Sequence, residues 1–312
     1  MAKMIDLLEG VKKAINDETG AGGTLSSVNK VTMYPERNPL GFPFVTVLPL
    51  NERPIRFLSG GVYEAQKSIT VEFYSHKSDS RDAKRASMGM MDKAMDLFGV
   101  GATDWLIPHI GTGADQVFDA EILNARSSNQ SIPYRNGFIQ VASFDMALFT
   151  KEELHPDVGG TTASTNIEAD AKTVVDTIMN TIKGYKTGVE NYLSSVQSFK
   201  SFTAPPTVSY PLVFVGIDNE VRDHEFTGMD VVSRAISVYG IHKMAQGQNA
   251  LERNLNLMEY LRQIIFANKD FGGISINTIY EGTNYRQSHD GRGMMYGSNL
   301  DLVIDTLDQL RA

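Results

Sequence analysis

"LSSVNK" at residues 25–30 and "LSSVQS" at residues 193–198 share a tetrapeptide 168 positions apart. Four residues alone decide little, so the weight falls on what flanks them. Upstream of the first, Ile5, Leu8, Val11 and Ile15 draw one apolar stripe along a helix; upstream of the second, Val175, Ile178, Ile182 and Tyr185 do the same. Downstream, "FPFVTVLPLNE" at 42–52 aligns with "YPLVFVGIDNE" at 210–220, matching Pro43 with Pro211 and Asn51-Glu52 with Asn219-Glu220 at the same spacing. Both read as apolar strands with a proline at the start, where a missing N–H is tolerated.

Moving outward, "SITVEFYSHK" at 68–77 sets Ile69, Val71 and Phe73 against Thr70, Glu72 and Tyr74, the period of a strand with one buried face. Its counterpart is "AISVYGIHK" at 235–243, where His76-Lys77 returns as His242-Lys243. A second amphipathic helix follows in each copy. Met88, Met91, Met95 and Phe98 form its stripe in the first, and Leu251, Leu255, Met258, Leu261 and Ile265 in the second, where Asn249 and Glu252 have capping-box spacing. About eleven extra residues in copy one then shift the offset, so that 122–130 lies over 279–287 and 144–148 over 300–304.

The expected fold is α+β. Two tandem copies of a helix–β–β–β–helix–β–β unit each form a mostly antiparallel sheet with helices packed on one face. The first unit covers 1–154 with its insertion at about 99–115; a Gly-, Ser- and Thr-rich linker covers 155–170; the second unit covers 171–312.

Composition narrows the function. The chain has 312 residues, 42% hydrophobic and 21% charged, the balance of a globular protein of two ordinary domains. No apolar run approaches the ~20 residues that span a bilayer, and "MAKMIDLLEG" has acids where a signal peptide has its apolar segment, so no membrane partner is expected and synthesis in a cytoplasm is. The absence of cysteine excludes disulfides, thiolate metal sites and cysteine nucleophiles. A net charge of −8 argues against non-specific binding to DNA phosphates.

The order of elements, with a helix opening on "MIDLLEGVKKAI", a "GFPFVTVLP" strand, a long polar hairpin and "KSITVEFYSH" leading into a helix, resembles the tail terminator, or tail completion, proteins of long-tailed bacteriophages. Relatives of that kind have one unit and form hexameric rings that cap the tail tube. The resemblance implies a structural virion protein at the head-to-tail junction, not an enzyme, without cofactors. Its implied partners are its own copies, the tail tube protein and the head connector or neck protein, with DNA passing through the ring without specific binding. Two units per chain leave open a ring of three chains acting as a pseudo-hexamer or a layered ring of six. Other readings are a different neck or baseplate ring protein, or a non-viral duplicated α+β ligand-binding protein.

Candidate contacts with a neighbouring subunit or the tube are Arg53, Arg56 and the Gly60-Gly61 turn in the first hairpin (about 51–66), and Arg222 and Gly228 in the second (about 219–234). Trp105, the only tryptophan, reads equally as an interface anchor or as a pin holding its own loop. The methionines at 88, 90, 91 and 95 read as core filling, and the mixed-charge run at 77–85 as a solvated helix start. The G-x-G elements at 99–104, 111–115 and 290–297 lack the Lys-Ser/Thr of a phosphate loop and read as turns. No two of the six histidines sit at metal-ligand spacing on a helix, His289-Asp290 reads as a solvated turn, and His76 and His242 read as one strand-end position repeated.

Overall fold

The alternating strands of the sequence become sheet strands because a pleated strand sends successive side chains to opposite faces and each of these has one apolar face to bury. A computed structural model describes residues 3–34, 41–57, 62–99, 117–153, 170–186, 192–202, 209–224, 229–244, 247–289 and 294–309. Among the described residues there are four α-helices and eleven strands, mostly antiparallel. The chain divides into two compact units, Met1–Glu153 and Leu154–Ala312.

Unit 1 begins with α1 (Met4–Asp17), whose buried stripe is Met4, Leu7, Leu8, Val11, Ala14 and Ile15. Ile5, expected in the stripe, is only half-buried. The LSSV stretch is a turn: Leu25 and Val28 are buried, and the Val28 N–H donates to the Leu25 carbonyl at 2.9 Å. The Asn29 N–H then donates to the Pro43 carbonyl at 2.8 Å, which sets β1 (Lys30–Thr32) parallel to the start of β2 (Phe44–Phe57). There follow β3 (Val62–Lys77), α2 (Ser80–Gly99), β4 (Val117–Ser127), β5 (Ile132–Tyr134) and β6 (Gly137–Glu153). The strand order is β4-β6-β3-β2, with β1 on β2 and β5 on β6. Asp79 caps α2 by accepting from the Arg81 and Asp82 N–H groups at 2.8 and 3.2 Å, so the mixed-charge run does start a helix. The buried stripe of α2 runs through Ala83, Ser87, Met90, Met91, Ala94 and Phe98; Met88, expected on it, is exposed and Met95 half-buried.

Unit 2 begins at Asp170, whose carboxylate accepts from the Thr173 N–H at 2.7 Å and caps α3 (Ala171–Gly184). Its LSSV stretch has the same local form, with Leu193 and Val196 buried, the Val196 N–H on the Leu193 carbonyl at 3.0 Å and the Gln197 N–H on the Pro211 carbonyl at 2.9 Å. Then come β7 (Ser198–Ser201), parallel to β8 (Leu212–His224), β9 (Met229–Met244), α4 (Gly247–Ala267), β10 (Ser275–His289) and β11 (Met294–Gln309), in the order β10-β11-β9-β8-β7. One apolar cluster takes residues from both helices and from the strands, including Val175, Ile178, Val215, Val238, Leu261 and Leu300. Gly240 lets α4 approach β9 closely, since a Cβ there would meet Met258 Sδ at 2.7 Å. Helix α4 starts two residues before Asn249, which therefore lies in the first turn and not at the cap.

The expected polar hairpins differ from the sequence reading in a way that matters. Strand β3 pairs with β6 along its whole length, from Val62 opposite Glu153 to Lys77 opposite Phe138, and β9 pairs with β11 from Met229 to Met244. The described strands of both hairpins are therefore parts of their sheets. The insertion at about 99–115 and the linker at 155–170 lie outside the described residues, apart from Gly99 and Asp170.

Candidate functional site

Strand parity places charged residues where a core is expected. Lys67 precedes Ile69, Val71 and Phe73 by steps of two on β3, so it shares their buried face, and its side chain is fully buried. Its ammonium lies 2.5 Å from the Glu152 carboxylate on β6 and 3.6 Å from that of Glu52 on β2. The Tyr63 hydroxyl donates to Glu152 at 2.7 Å, and the Thr150 hydroxyl at 3.2 Å. Three strands are thus joined by one buried ionic group.

Unit 2 has a matching arrangement. Arg234 on β9, two residues before Ile236, is buried and donates through Nε to Glu220 on β8 at 3.0 Å and through Nη1 to the Thr306 hydroxyl on β11. Burial raises the Glu220 pKa, but hydrogen bonds from Arg222 and Arg234 outweigh it and hold the carboxyl below its ordinary value. The sequence reading aligned Glu52 with Glu220 but missed Lys67 and Arg234. The signal was present, since both basic residues sit in the apolar half of an alternating strand.

The opposite faces carry a second pair of networks. In unit 1 the Thr70 hydroxyl donates to Asp145 at 2.7 Å, and Arg126 on β4 reaches the same carboxylate at 3.1 Å. In unit 2 the Ser237 hydroxyl donates to Asp301 at 2.7 Å, and Asn284 on β10 donates to it at 2.8 Å. Nearby in unit 1, Phe44 stacks on Tyr74 with centroids 4.4 Å apart. Burial, and after it the Glu72 charge and hydrogen bond, push the Tyr74 pKa up.

Of the candidate contact residues, Arg53 and Arg56 are exposed on β2, Arg56 pairing with Glu64 at 3.2 Å, and Arg222 is exposed on β8, pairing with Glu220 at 3.0 Å. These are solvent-facing cross-strand or same-strand pairs of small energetic weight. Gly60, Gly61, Trp105 and Gly228 lie outside the described residues.

His76 and His242 are not one repeated position. His76 alternates with the buried Ser75, is half-buried, and lies by the Tyr134 carbonyl at 3.0 Å and the Phe42 ring. His242 is buried on the same side of β9 as Val238 and Gly240, and its Nδ1 has no hydrogen-bond partner among the described residues. Burial, and then the positive charge of Arg253, push its pKa down to about 4. The shared His-Lys dipeptide is thus one step out of register between the two strands.

Among the described residues no group of three His, Cys, Asp or Glu side chains is arranged to hold a metal ion, and no helix is long and apolar enough to cross a membrane. Within each unit, the strands are braced by buried charged and hydroxyl side chains. No protein-family model matches the chain, and no curated protein matches it.

Proposed function

We propose that the chain is a tandem duplication of one α+β unit and a structural virion protein. In this reading it forms a ring that caps a phage tail tube, ends its growth, joins it to the head connector and leaves a channel for DNA. The observation that carries the duplication is the agreement of register irregularities. Strand β2 is bulged between Pro49 and Asn51, and β8 between Ile217 and Asn219, a spacing of 168. Strand β4 is bulged between Val117 and Asp119 and between Ile122 and Asn124; β10 is bulged between Ser275 and Asn277 and between Tyr280 and Gly282, a spacing of 158 in both cases. The bulge of β2 between Pro54 and Arg56 has no counterpart in β8; a bulge inserts one residue and changes every pairing beyond it, so the three that do match favour common descent over convergence. The spacing of 158 is one more than sequence matching gave for these strands. The buried Glu–Lys and Glu–Arg pairs support the same reading, because Glu52 faces Lys67 and Glu220 faces Arg234 in equivalent rows.

Symmetry supports a ring: repeated units in one chain carry repeated contact surfaces, and these close when each rotation is an equal fraction of a full turn with no translation along the axis. The step to a tail is supported by the resemblance in element order. A head-to-tail junction needs rigid units with no turnover of their own, and sheets cross-braced by buried ion pairs suit that task. Purified chain incubated with tail tubes tests it in electron micrographs. Density capping one end of each tube and arrest of further growth on adding tube protein are expected. Tubes that keep growing, or density spread along their walls, would contradict the assignment.

A further inference from the structure

Two strand edges on this chain fit each other. Among the described residues β4 pairs only with β6, leaving the other edge of an 11-residue strand unpaired. Strand β7 covers only Leu212–Val215 of β8, so no described strand pairs the outer edge of β8 from Gly216 to His224. Open edges are usually blunted by charge at their irregularities. Here the extra residues of the two β4 bulges are Phe118 and Leu123, 45% and 41% exposed, and β8 carries Val221, 52% exposed. Large apolar residues at those places mark an edge made for a partner.

We propose that the β4 edge of one copy joins the outer edge of β8 in a second copy, extending the sheet head to tail around the ring. This deepens the ring reading and rests on it, since units related by rotation about a common axis stand at the same height. With the strands running along the ring axis, the height of each residue follows from the registers. In unit 1 one row runs Asp119, Phe149, Gln66, Arg53; the equivalent row in unit 2 runs Asn277, Asp305, Ser233, Val221. A second pair of rows places Ile122 level with Ile217. Asp119 of one copy therefore meets Val221 of the next, and Ile122 meets Ile217.

Direction agrees as well. Three successive antiparallel pairings make β4 run opposite to β2, and β8 holds the place of β2 in its own unit, so the joint is antiparallel. Phe118 packs beside Phe149 at 6.3 Å between centroids, on the face to which Val221 also points opposite Ser233, so the two exposed apolar side chains meet. A contact from unit 1 of one copy to unit 2 of the next is heterologous, the kind that generates a ring when its rotation closes, and it is the contact that a three-chain pseudo-hexamer requires.

The chain has no cysteine, so introduced thiols report this contact alone. Full-length Asp119→Cys and Val221→Cys variants are oxidised separately and mixed, with particle mass measured on each sample. A disulfide-linked dimer in the mixture and in neither variant alone is expected, and the double variant should give a ladder ending at three chains. Linked dimers within one variant alone, or rings by mass with no link in the mixture, overturn the edge contact while leaving the ring. Single chains by mass with no link overturn both. Phe118→Lys, at an exposed site, should weaken association at least about tenfold with an unchanged melting temperature; unchanged association counts against the contact.

Discussion

His242 shows how one residue can mislead a repeat comparison and still inform on stability. The ordinary histidine pKa is about 6.5, and in the folded chain it is pushed down to about 4 by burial and then by Arg253. Between those values the unfolded chain binds a proton that the folded chain refuses, so the stabilisation is complete above about pH 6.5 and lost as pH falls towards 4. Replacing His242 by Phe removes that term. The stability gap between the native chain and His242→Phe, from denaturant titrations at pH 7 and pH 4, should change by roughly 3 kcal/mol in favour of the variant at the lower pH. A gap independent of pH would mean that His242 is solvated in the folded state. The sequence showed a histidine near a strand end, but not which face it occupies, because a one-residue difference in register moves a side chain across the sheet.

Elements were legible where periodicity was strong. The central strands and all four helices follow from spacing, since burial of one face selects residues at fixed intervals. Helix phase was less secure: Met88 fits an i, i+3 ladder yet is exposed, while the small residues Ala83 and Ala94, which carry little hydrophobic signal, sit against the sheet. The short β5 has only three residues and left no readable pattern. The sequence reads as a polar hairpin over about 51–66, yet the structure buries Glu52 within it and Lys67 just beyond it. That cluster clamps β2, β3 and β6 together. Lys67→Met leaves two buried carboxylates without their cation and should cost about 3–5 kcal/mol in urea unfolding. A cost below about 1 kcal/mol would show the group to be hydrated. Neither outcome was readable from composition, because pairing across three strands depends on register.

At the scale of the molecule, the proposed ring requires two units with equivalent contact surfaces. The matching bulges and buried pairs support the proposed equivalence of the units, and the proposed pairing of the β4 and β8 edges would let copies close. Sequence alone suggested the duplication from a tetrapeptide and its flanks, but left three and six chains equally open, since edge pairing is a property of folded sheets. The measurement that bears most directly on this account is electron microscopy of the purified chain with particle mass determined on the same sample. A ring with a central opening, six similar lobes and the mass of three chains is expected. A compact single chain without an opening at every concentration tested, or a ring of six chains in two layers, would contradict it.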